Sequence, residues 1–378
     1  MKVMLGLSGG VDSAIAAYLL KKQGYEVICC FMRNWDSMAN NDVLGNPTID
    51  DGICPQEQDY LDAKKVAEDL SLPFLRIDFI KEYWDNVFTY FLNEYKKGRT
   101  PNPDVFCNKY IKFGPFLDFA KKNGCEMIAM GHYAKRIDKD GKVYLYKAKD
   151  LNKDQTYFLS QISNEQLSSC LFPLGDITKP KVREIAKELN LTSVETKKDS
   201  TGVCFIGERN FKEFLENYIP SKKGEIRDIS NNKVLGIHDG VMYYTLGQRR
   251  GLGIGGIKDQ NTKGGWFVCK KDVTKNILYV AQGDEDEHLL TDEAIINTIN
   301  LFNGPIEEGK HICVKFRYRQ QDLGVTVHNL EDGNIKLIYD KPYKAVTPGQ
   351  ACVFYDVDCC LGGGLIDKVY YKGIIRSY

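Results

Sequence analysis

The chain has 378 residues, 43% of them hydrophobic and 27% charged, with 51 Lys+Arg against 51 Asp+Glu. That length is too great for one ordinary core and predicts two or three soluble domains; the balanced charge removes any global basic field as an argument for nucleic acid, though a basic face opposite an acidic one stays open. No run approaches the roughly 20 apolar residues of a membrane span, and "MKVMLGLSGG" lacks a signal peptide's apolar stretch and cleavage site, so a cytoplasmic protein with no membrane partner is expected.

In chain order, "KVMLGL" (2–7) reads as a buried strand and "DSAIAAYLLKKQG" (12–24) as a helix ending at Gly24. The alternation repeats: strand 26–32, helix 56–72, strand 73–79, helices 81–98 and 108–124, strand 126–132. Strands alternating with helices predict an α/β fold, a doubly wound parallel sheet with ligands beyond the carboxyl ends of its strands. Site residues are therefore expected just after Leu7, Met32 and Met130. From about residue 210 short segments broken by Gly, Asn and Asp predict small β elements. Beyond the acidic "GDEDEH" (283–288), "HICVKFRYRQ", "LGVTVHNL", "NIKLIYD" and "ACVFYDVD" alternate at period two, as in an antiparallel barrel or sandwich. The expected domains are 1–207, 208–282 and 283–378.

"LGLSGGVDSA" sets Ser8, Gly9, Gly10, Asp12 and Ser13 between the first strand and the first helix. Two glycines let the backbone curl round an anion, and the helix N-terminus favours negative charge. No Lys-Ser/Thr pair follows, so this is not the loop that holds β and γ phosphates in γ-phosphoryl transfer. It resembles the S-G-G-x-D-S loop of the PP-loop ATP pyrophosphatases, which cleave ATP between its α and β phosphates. The plainer alternative is a Gly-rich turn.

Twelve cysteines in a reducing compartment should be thiols, mostly core filler such as Cys29 and Cys30. Two stand in polar surroundings. Cys107 follows "NPDVF" and opens a predicted helix near Lys109 and Lys112, where a helix dipole and cations would favour thiolate. Asp104, three residues earlier, is placed for general acid/base work. Cys204 lies in "KKDSTGVCFIGERNF", a flexible approach able to carry a thiol to a site. Cys54 also starts a predicted helix, where its pKa would likewise be lowered; a third thiol of the sulfur pathway and a helix-cap neighbour both stay open, the latter being the preferred reading.

"GLSGGVDS", "GRTPNPDVFCNKYIKF", "GHYA", "KDQTYFLS", "KKDSTGVCFIGERNF", "YTLGQRRGLGIGG", "RYRQ", "TPGQ" and "CLGGG" occur in the order seen in bacterial tRNA-specific 2-thiouridylases. The resemblance covers nearly the whole chain. It implies that ATP, with Mg²⁺ and no tightly bound cofactor, activates the wobble uridine of tRNAs for lysine, glutamate and glutamine, whose O2 is replaced by sulfur. It further implies nucleotide contacts at Gly6, Leu7, Ser8, Gly9, Gly10, Val11, Asp12, Ser13, Met32 and Gly131. Asn102, Pro103 and Asp104 would meet the base, with Asp104 as acid/base. Cys204 would carry the persulfide and Cys107 would be its partner. Further tRNA contacts are implied at His132, Lys153, Asp154, Gln155, Arg317, Tyr318 and Gln350, although on residue type alone each is an ordinary loop, strand-face or turn position.

The implied partners are tRNA, a persulfide-donating sulfur carrier or cysteine desulfurase, and an external thiol reductant. Direct persulfide attack and release of hydrosulfide in the pocket both stay open, and both end in a Cys107–Cys204 disulfide. An iron–sulfur cluster on the two cysteines is a further possibility without a C-x-x-C pattern behind it. Rival readings are a nitrogen-transferring PP-loop enzyme, which needs no thiol pair, and an RNA- or ATP-binding module with a decayed site.

Overall fold

The computed structural model describes residues 1–49, 55–197, 206, 209–254 and 264–376. Its first sheet is built from β1 (Lys2–Gly6), β2 (Glu26–Arg33), β3 (Phe74–Asp78), β4 (Met127–Ala129) and, further on, a two-residue strand at Cys170–Leu171. All pairings are parallel, in the order β3, β2, β1, β4, Cys170–Leu171. Because side chains alternate along a strand, β1 feeds two cores. Val3 and Leu5 meet Ala14, Ile15 and Val66 from the helices Val11–Lys22 and Pro55–Asp69, while Met4 meets Phe88, Val105, Ile111 and Phe116 on the other face. The doubly wound sheet expected from the alternation is therefore present. Its neighbours β2 and β4 leave β1 on opposite sides, which opens a crevice beyond the carboxyl end of β1.

Several predicted elements are divided. The helix expected over 81–98 is an α segment at Ile80–Tyr83, a π turn at Trp84–Phe88 and an α segment at Thr89–Lys96. The helix expected over 108–124 is a π turn at Asn108–Lys112 and a separate helix, Pro115–Lys122, with Gly114 and Pro115 forming the break. Another short helix, Pro103–Cys107, precedes the π turn.

A four-stranded sheet follows in the order Trp266–Asp272, Ile277–Gln282, Gly224–Asp228, Val234–His238. The last part of the chain is an antiparallel barrel: Leu290–Leu301, Ile335–Lys344, Leu323–Asn329, His311–Lys315, Ala351–Asp356 and Cys359–Tyr371 pair in turn, and the last pairs back with the first. Strand His311–Lys315 stops before Arg317, so Arg317 and Tyr318 lie in a turn rather than on a strand face.

One hairpin crosses between these parts. β5 (Ala134–Lys139) and β6 (Lys142–Lys147) follow β4 in sequence, yet β6 pairs with the barrel strand Cys359–Tyr371 through Leu145–Cys360 and Tyr146–Cys359. Apolar packing runs without interruption from Met4 and Cys107 through Phe214 and Val268 to Val353 and Tyr355. Among the described residues, no helix is long and apolar enough to cross a membrane.

Candidate active site

At the end of β1 the chain turns through Leu7–Gly10 into the helix Val11–Lys22. Leu7 N donates to Cys30 O at 2.9 Å, which ties the start of the turn to β2. Ser13 Oγ then braces the turn, accepting from Ser8 N at 3.1 Å and donating to Gly10 O at 3.0 Å. Gly9 has φ +74°, and a Cβ there would stand 2.2 Å from the Asp59 carbonyl oxygen, so only glycine fits. Gly10 is the N-cap and makes no side-chain hydrogen bond, which leaves the first-turn N–H groups for an anion.

The chain at the carboxyl ends of β1, β2 and β4 packs closely. A Cβ on Gly6 would meet Met32 Cε and Met130 Sδ, each at 3.0 Å. A Cβ on Gly131 would stand 3.0 Å from Ser13 N and 3.2 Å from the Asp12 carbonyl carbon. Met32, Gly6, Met130 and Gly131 thus form one close-packed floor beside the helix N-terminus. Just past β2, Asn34 is fully buried, and neither amide atom of its side chain has a hydrogen-bond partner.

Three residues outside the expected site set complete the electrostatics, although Tyr133 lies in "GHYA" and Lys197 opens "KKDSTGVCFIGERNF". Lys179 Nζ lies 2.8 Å from Asp12 Oδ1 and 2.7 Å from Oδ2, and Tyr133 OH donates to Oδ1 at 2.7 Å. Lys179 opens the helix Lys179–Glu188, and its own amide donates to Asp150 Oδ2 at 2.9 Å. Lys197 Nζ donates to Gly9 O at 3.0 Å, to Asp59 Oδ1 at 2.7 Å and to Asp62 Oδ2 at 2.6 Å. Burial works to lower the Lys197 pKa, but the bonds to the two carboxylates outweigh it and hold the ammonium above its ordinary value; burial raises Asp59. No sequence pattern signals these contacts, because the partners are brought together only by the tertiary fold.

Cys204, like Cys54, lies outside the described residues. The chain on either side of it is anchored. Lys197 is tied to the Leu7–Gly10 turn as above, and Arg209 forms a buried ion pair with Asp42 at 2.8 Å, in which Trp35 Nε1 also donates to Asp42 at 3.0 Å.

The NPD segment is shaped by capping. Asn102 Oδ1 accepts from Asp104 N at 3.1 Å, and Pro103 occupies the first helical position. Asp104 is thereby fixed at a helix start and partly exposed. Cys107 stands at the opposite end of that short helix and is wholly buried. The expectation that Cys107 opens a helix and feels its N-terminal dipole is therefore corrected: the helix begins four residues earlier, at Pro103. Lys109, beside it, lies 3.4 Å from Gln161 Oε1, with its pKa lowered by burial.

The residues expected to touch RNA divide by environment. Asp154 is buried, accepting from Ala148 N at 3.0 Å and Thr156 Oγ1 at 2.7 Å, with burial raising its pKa. Gln155 and Tyr133 exchange two bonds, with Tyr133 N donating to Gln155 Oε1 at 3.0 Å and Gln155 N to Tyr133 O at 2.8 Å. His132 is 8% exposed, its Nδ1 has no hydrogen-bond partner, and burial together with the Lys112 charge holds its pKa well below the usual histidine range. Lys153 is partly exposed on the same loop. Arg317 Nη2 donates to the carbonyls of Leu246 and Ala345 and to Thr347 Oγ1. Tyr318 packs on Phe158 with ring centres 4.4 Å apart, and Arg319 covers its ring. Gln350 reaches back to the NPD segment through Thr100 O.

Comparison with known proteins gives three consecutive family matches. Residues 1–208 match a tRNA methyl transferase HUP domain, 212–282 a tRNA methyl transferase PRC-barrel domain, and 291–366 an aminomethyltransferase beta-barrel domain. Among curated relatives, a tRNA-specific 2-thiouridylase of Mycoplasma capricolum is 56% identical, the match covering 97% of this chain and 99% of that protein. Its counterpart in Mycoplasma mobile is 51% identical, covering 100% and 99%. One from Geobacillus kaustophilus is 53% identical, covering 97% and 96%.

Proposed function

The chain belongs to the tRNA-specific 2-thiouridylase family, and from that premise we propose that it uses ATP to replace O2 of a tRNA wobble uridine with sulfur, in the tRNAs for lysine, glutamate and glutamine. The observation that carries the reading is the uncapped helix start at Gly10, walled by Gly131 and Met32 at the mouth of the sheet. An ATP triphosphate placed there would present phosphate oxygens to the first-turn N–H groups.

The chemistry needs those parts. A urea-like C2 carbonyl is a poor electrophile, and oxide is a very poor leaving group. Attack of O2 on the α phosphorus expels pyrophosphate and converts that oxygen into part of AMP, which then leaves as sulfur bonds to C2. Asp104, at its capped helix start, accepts or returns the proton that the uracil ring exchanges in this step. Asp12 and the hydroxyls of Ser8 and Ser13 are hard oxygen donors beside the loop and fit the Mg²⁺ that accompanies ATP, which would offset phosphate charge there.

Sulfur arrives as a Cys204 persulfide loaded by a sulfur carrier or desulfurase, and Cys107 closes the cycle by forming a disulfide with Cys204 that an external thiol reductant reopens. The complete burial of Cys107 supports a thiol kept from solvent until base and persulfide are in place. Lys153 and the turn carrying Arg317 and Tyr318 offer exposed surface to the RNA, while Asp154, Gln155 and Gln350 act by holding loops in place.

The test is release of pyrophosphate and AMP from ATP. Release stimulated by tRNA with uridine at the wobble position, and not by the same tRNA carrying cytidine there, is the expected result. Stimulation by ammonia without loss in Cys107→Ser would instead indicate nitrogen transfer.

A further inference from the structure

Two residues beyond Cys107, Lys109 carries a charge that the described residues leave without an ion-pair partner. It lies on the π turn Asn108–Lys112, which continues the helix Pro103–Cys107, and it is partly buried. Its Nζ meets a neutral acceptor, Gln161 Oε1 at 3.4 Å, and stands 5.5 Å from the ring centre of Tyr110. The lysines beside the Leu7–Gly10 turn are placed differently, with Lys179 paired to Asp12 and Lys197 to Asp59 and Asp62. Burial lowers the Lys109 pKa, so the ammonium sits where it loses solvation and gains no carboxylate among the described residues. A cation kept in such a place is suited to an anion supplied from outside the chain.

The surroundings identify the anion. Gln161 is itself bound to the barrel, its Nε2 donating to Thr298 O at 3.2 Å and to Gly363 O at 3.0 Å, so Lys109 stands where the first part of the chain meets the barrel. Asn108 Nδ2 donates to Phe158 O at 2.9 Å, and the Phe158 ring carries Tyr318 at 4.4 Å, which joins the Lys109 segment to the turn of Arg317 and Tyr318. Next to Lys109, Tyr110 is 39% exposed and stacks on Phe106 with ring planes 8° apart. A cation beside an open aromatic face is a common way of holding single-stranded nucleic acid. We propose that Lys109 is an RNA-binding residue that takes a backbone phosphate of the tRNA anticodon loop beside the nucleotide whose base is modified. The inference rests on the tRNA reading and deepens it. Lys109 shares one continuous helical segment with Asp104 and Cys107, so a phosphate held there fixes the nucleotide relative to both.

The test measures tRNA affinity across a salt titration on the full chain for wild type, Lys109→Gln, Lys109→Met and Lys109→Arg, with ATP affinity followed by calorimetry alongside. The proposal predicts that the slope of log affinity against log salt flattens by about 0.7 to 1 unit in the Gln and Met variants, stays near wild type in Lys109→Arg, and leaves ATP affinity unchanged in all three. A second arm locates the phosphate, using the same tRNA with a neutral methylphosphonate at the linkage on one or the other side of the wobble uridine. Wild type should lose roughly 10-fold in affinity at one of these linkages, the loss expected for a hydrogen bond to a charged group, and Lys109→Gln should lose nothing further there. An unchanged salt slope in both neutral variants would overturn the proposal and leave Lys109 a structural lysine packed on Gln161. Equal methylphosphonate losses in wild type and Lys109→Gln would overturn it as well. Failure of wild type to bind tRNA would overturn the tRNA reading itself, and this inference with it.

Discussion

Gln350 Nε2 donates to the carbonyl oxygen of Thr100 at 2.8 Å, joining the barrel to the segment that carries Asn102 and Asp104 across 250 residues of sequence. The two chains also touch through backbone, with Thr100 N donating to Pro348 O at 3.1 Å, and a Cβ on Gly349 would stand 3.1 Å from Thr100 N. The barrel therefore sets where the helix Pro103–Cys107 begins. Gln350→Ala removes one hydrogen bond whose net worth is about 0.5–1.5 kcal/mol. Single-turnover thiolation should slow by roughly 2-fold to 10-fold, with ATP affinity unchanged in calorimetry.

Asp104→Asn keeps the cap, because Asn102 bonds the backbone amide of residue 104 and not its side chain. The variant should bind ATP and tRNA as wild type does. Its turnover should fall by about 100-fold to 10,000-fold, the range for a lost general acid/base. Full turnover under saturating substrates would remove Asp104 from the chemistry.

Gly9→Ala forces a side chain into left-handed backbone and against the Asp59 carbonyl. The φ value alone costs about 1–2 kcal/mol, and the contact at 2.2 Å requires the Pro55–Asp69 helix to move as well. Thermal melting should shift down, and ATP binding should be lost before tRNA binding is.

Arg317→Ala takes a donor from the carbonyls of Leu246 and Ala345, one in the central part of the chain and one in the barrel. Stability should fall by about 1–3 kcal/mol for the acceptors left behind. If Arg317 also neutralises a phosphate, the slope of log affinity for tRNA against log salt should flatten by about one unit. A lower melting temperature with an unchanged slope would assign Arg317 to the domain contact alone.

Lys271 is buried in the central sheet, donates to Tyr244 O at 2.9 Å, and has its pKa lowered to about 7 by burial. In the unfolded chain the ordinary value of 10.5 returns. Between these values the unfolded state holds a proton that the folded state lacks, so stability rises as pH rises through that window. Below about 7 the burial of a charged lysine opposes folding in full. Lys271→Met should accordingly stabilise the protein at pH 6, with the advantage shrinking toward pH 10 in urea titrations.

Much of this was legible because it is local. The alternation of apolar strands and helices predicts a crevice after Leu7, Met32 and Met130, and in the fold Gly6 packs against Met32 and Met130 while Gly131 packs against Asp12 and Ser13. What escaped depended on contacts far apart in the chain. Lys179 and Tyr133 reach Asp12 only through the fold. The burial of Asp154 follows from a bond to Ala148 that no motif announces. The β5–β6 hairpin is a different case: its Asp140-Gly141 turn, with φ of +52° and +72°, carries the standard two-residue hairpin signal. Its pairing with a barrel strand more than 200 residues away could not be read locally. Cys107 lies at the end of its helix and not at its start because Pro103 takes the first helical position.

The most direct measurement is mass spectrometry of nucleosides from tRNA treated with ATP, Mg²⁺ and a persulfide donor, using wild type, Cys107→Ser and Cys204→Ser. 2-Thiouridine from wild type alone is the predicted result and assigns both thiols to sulfur transfer. Equal 2-thiouridine from either variant would contradict the thiol-pair mechanism at the centre of this reading.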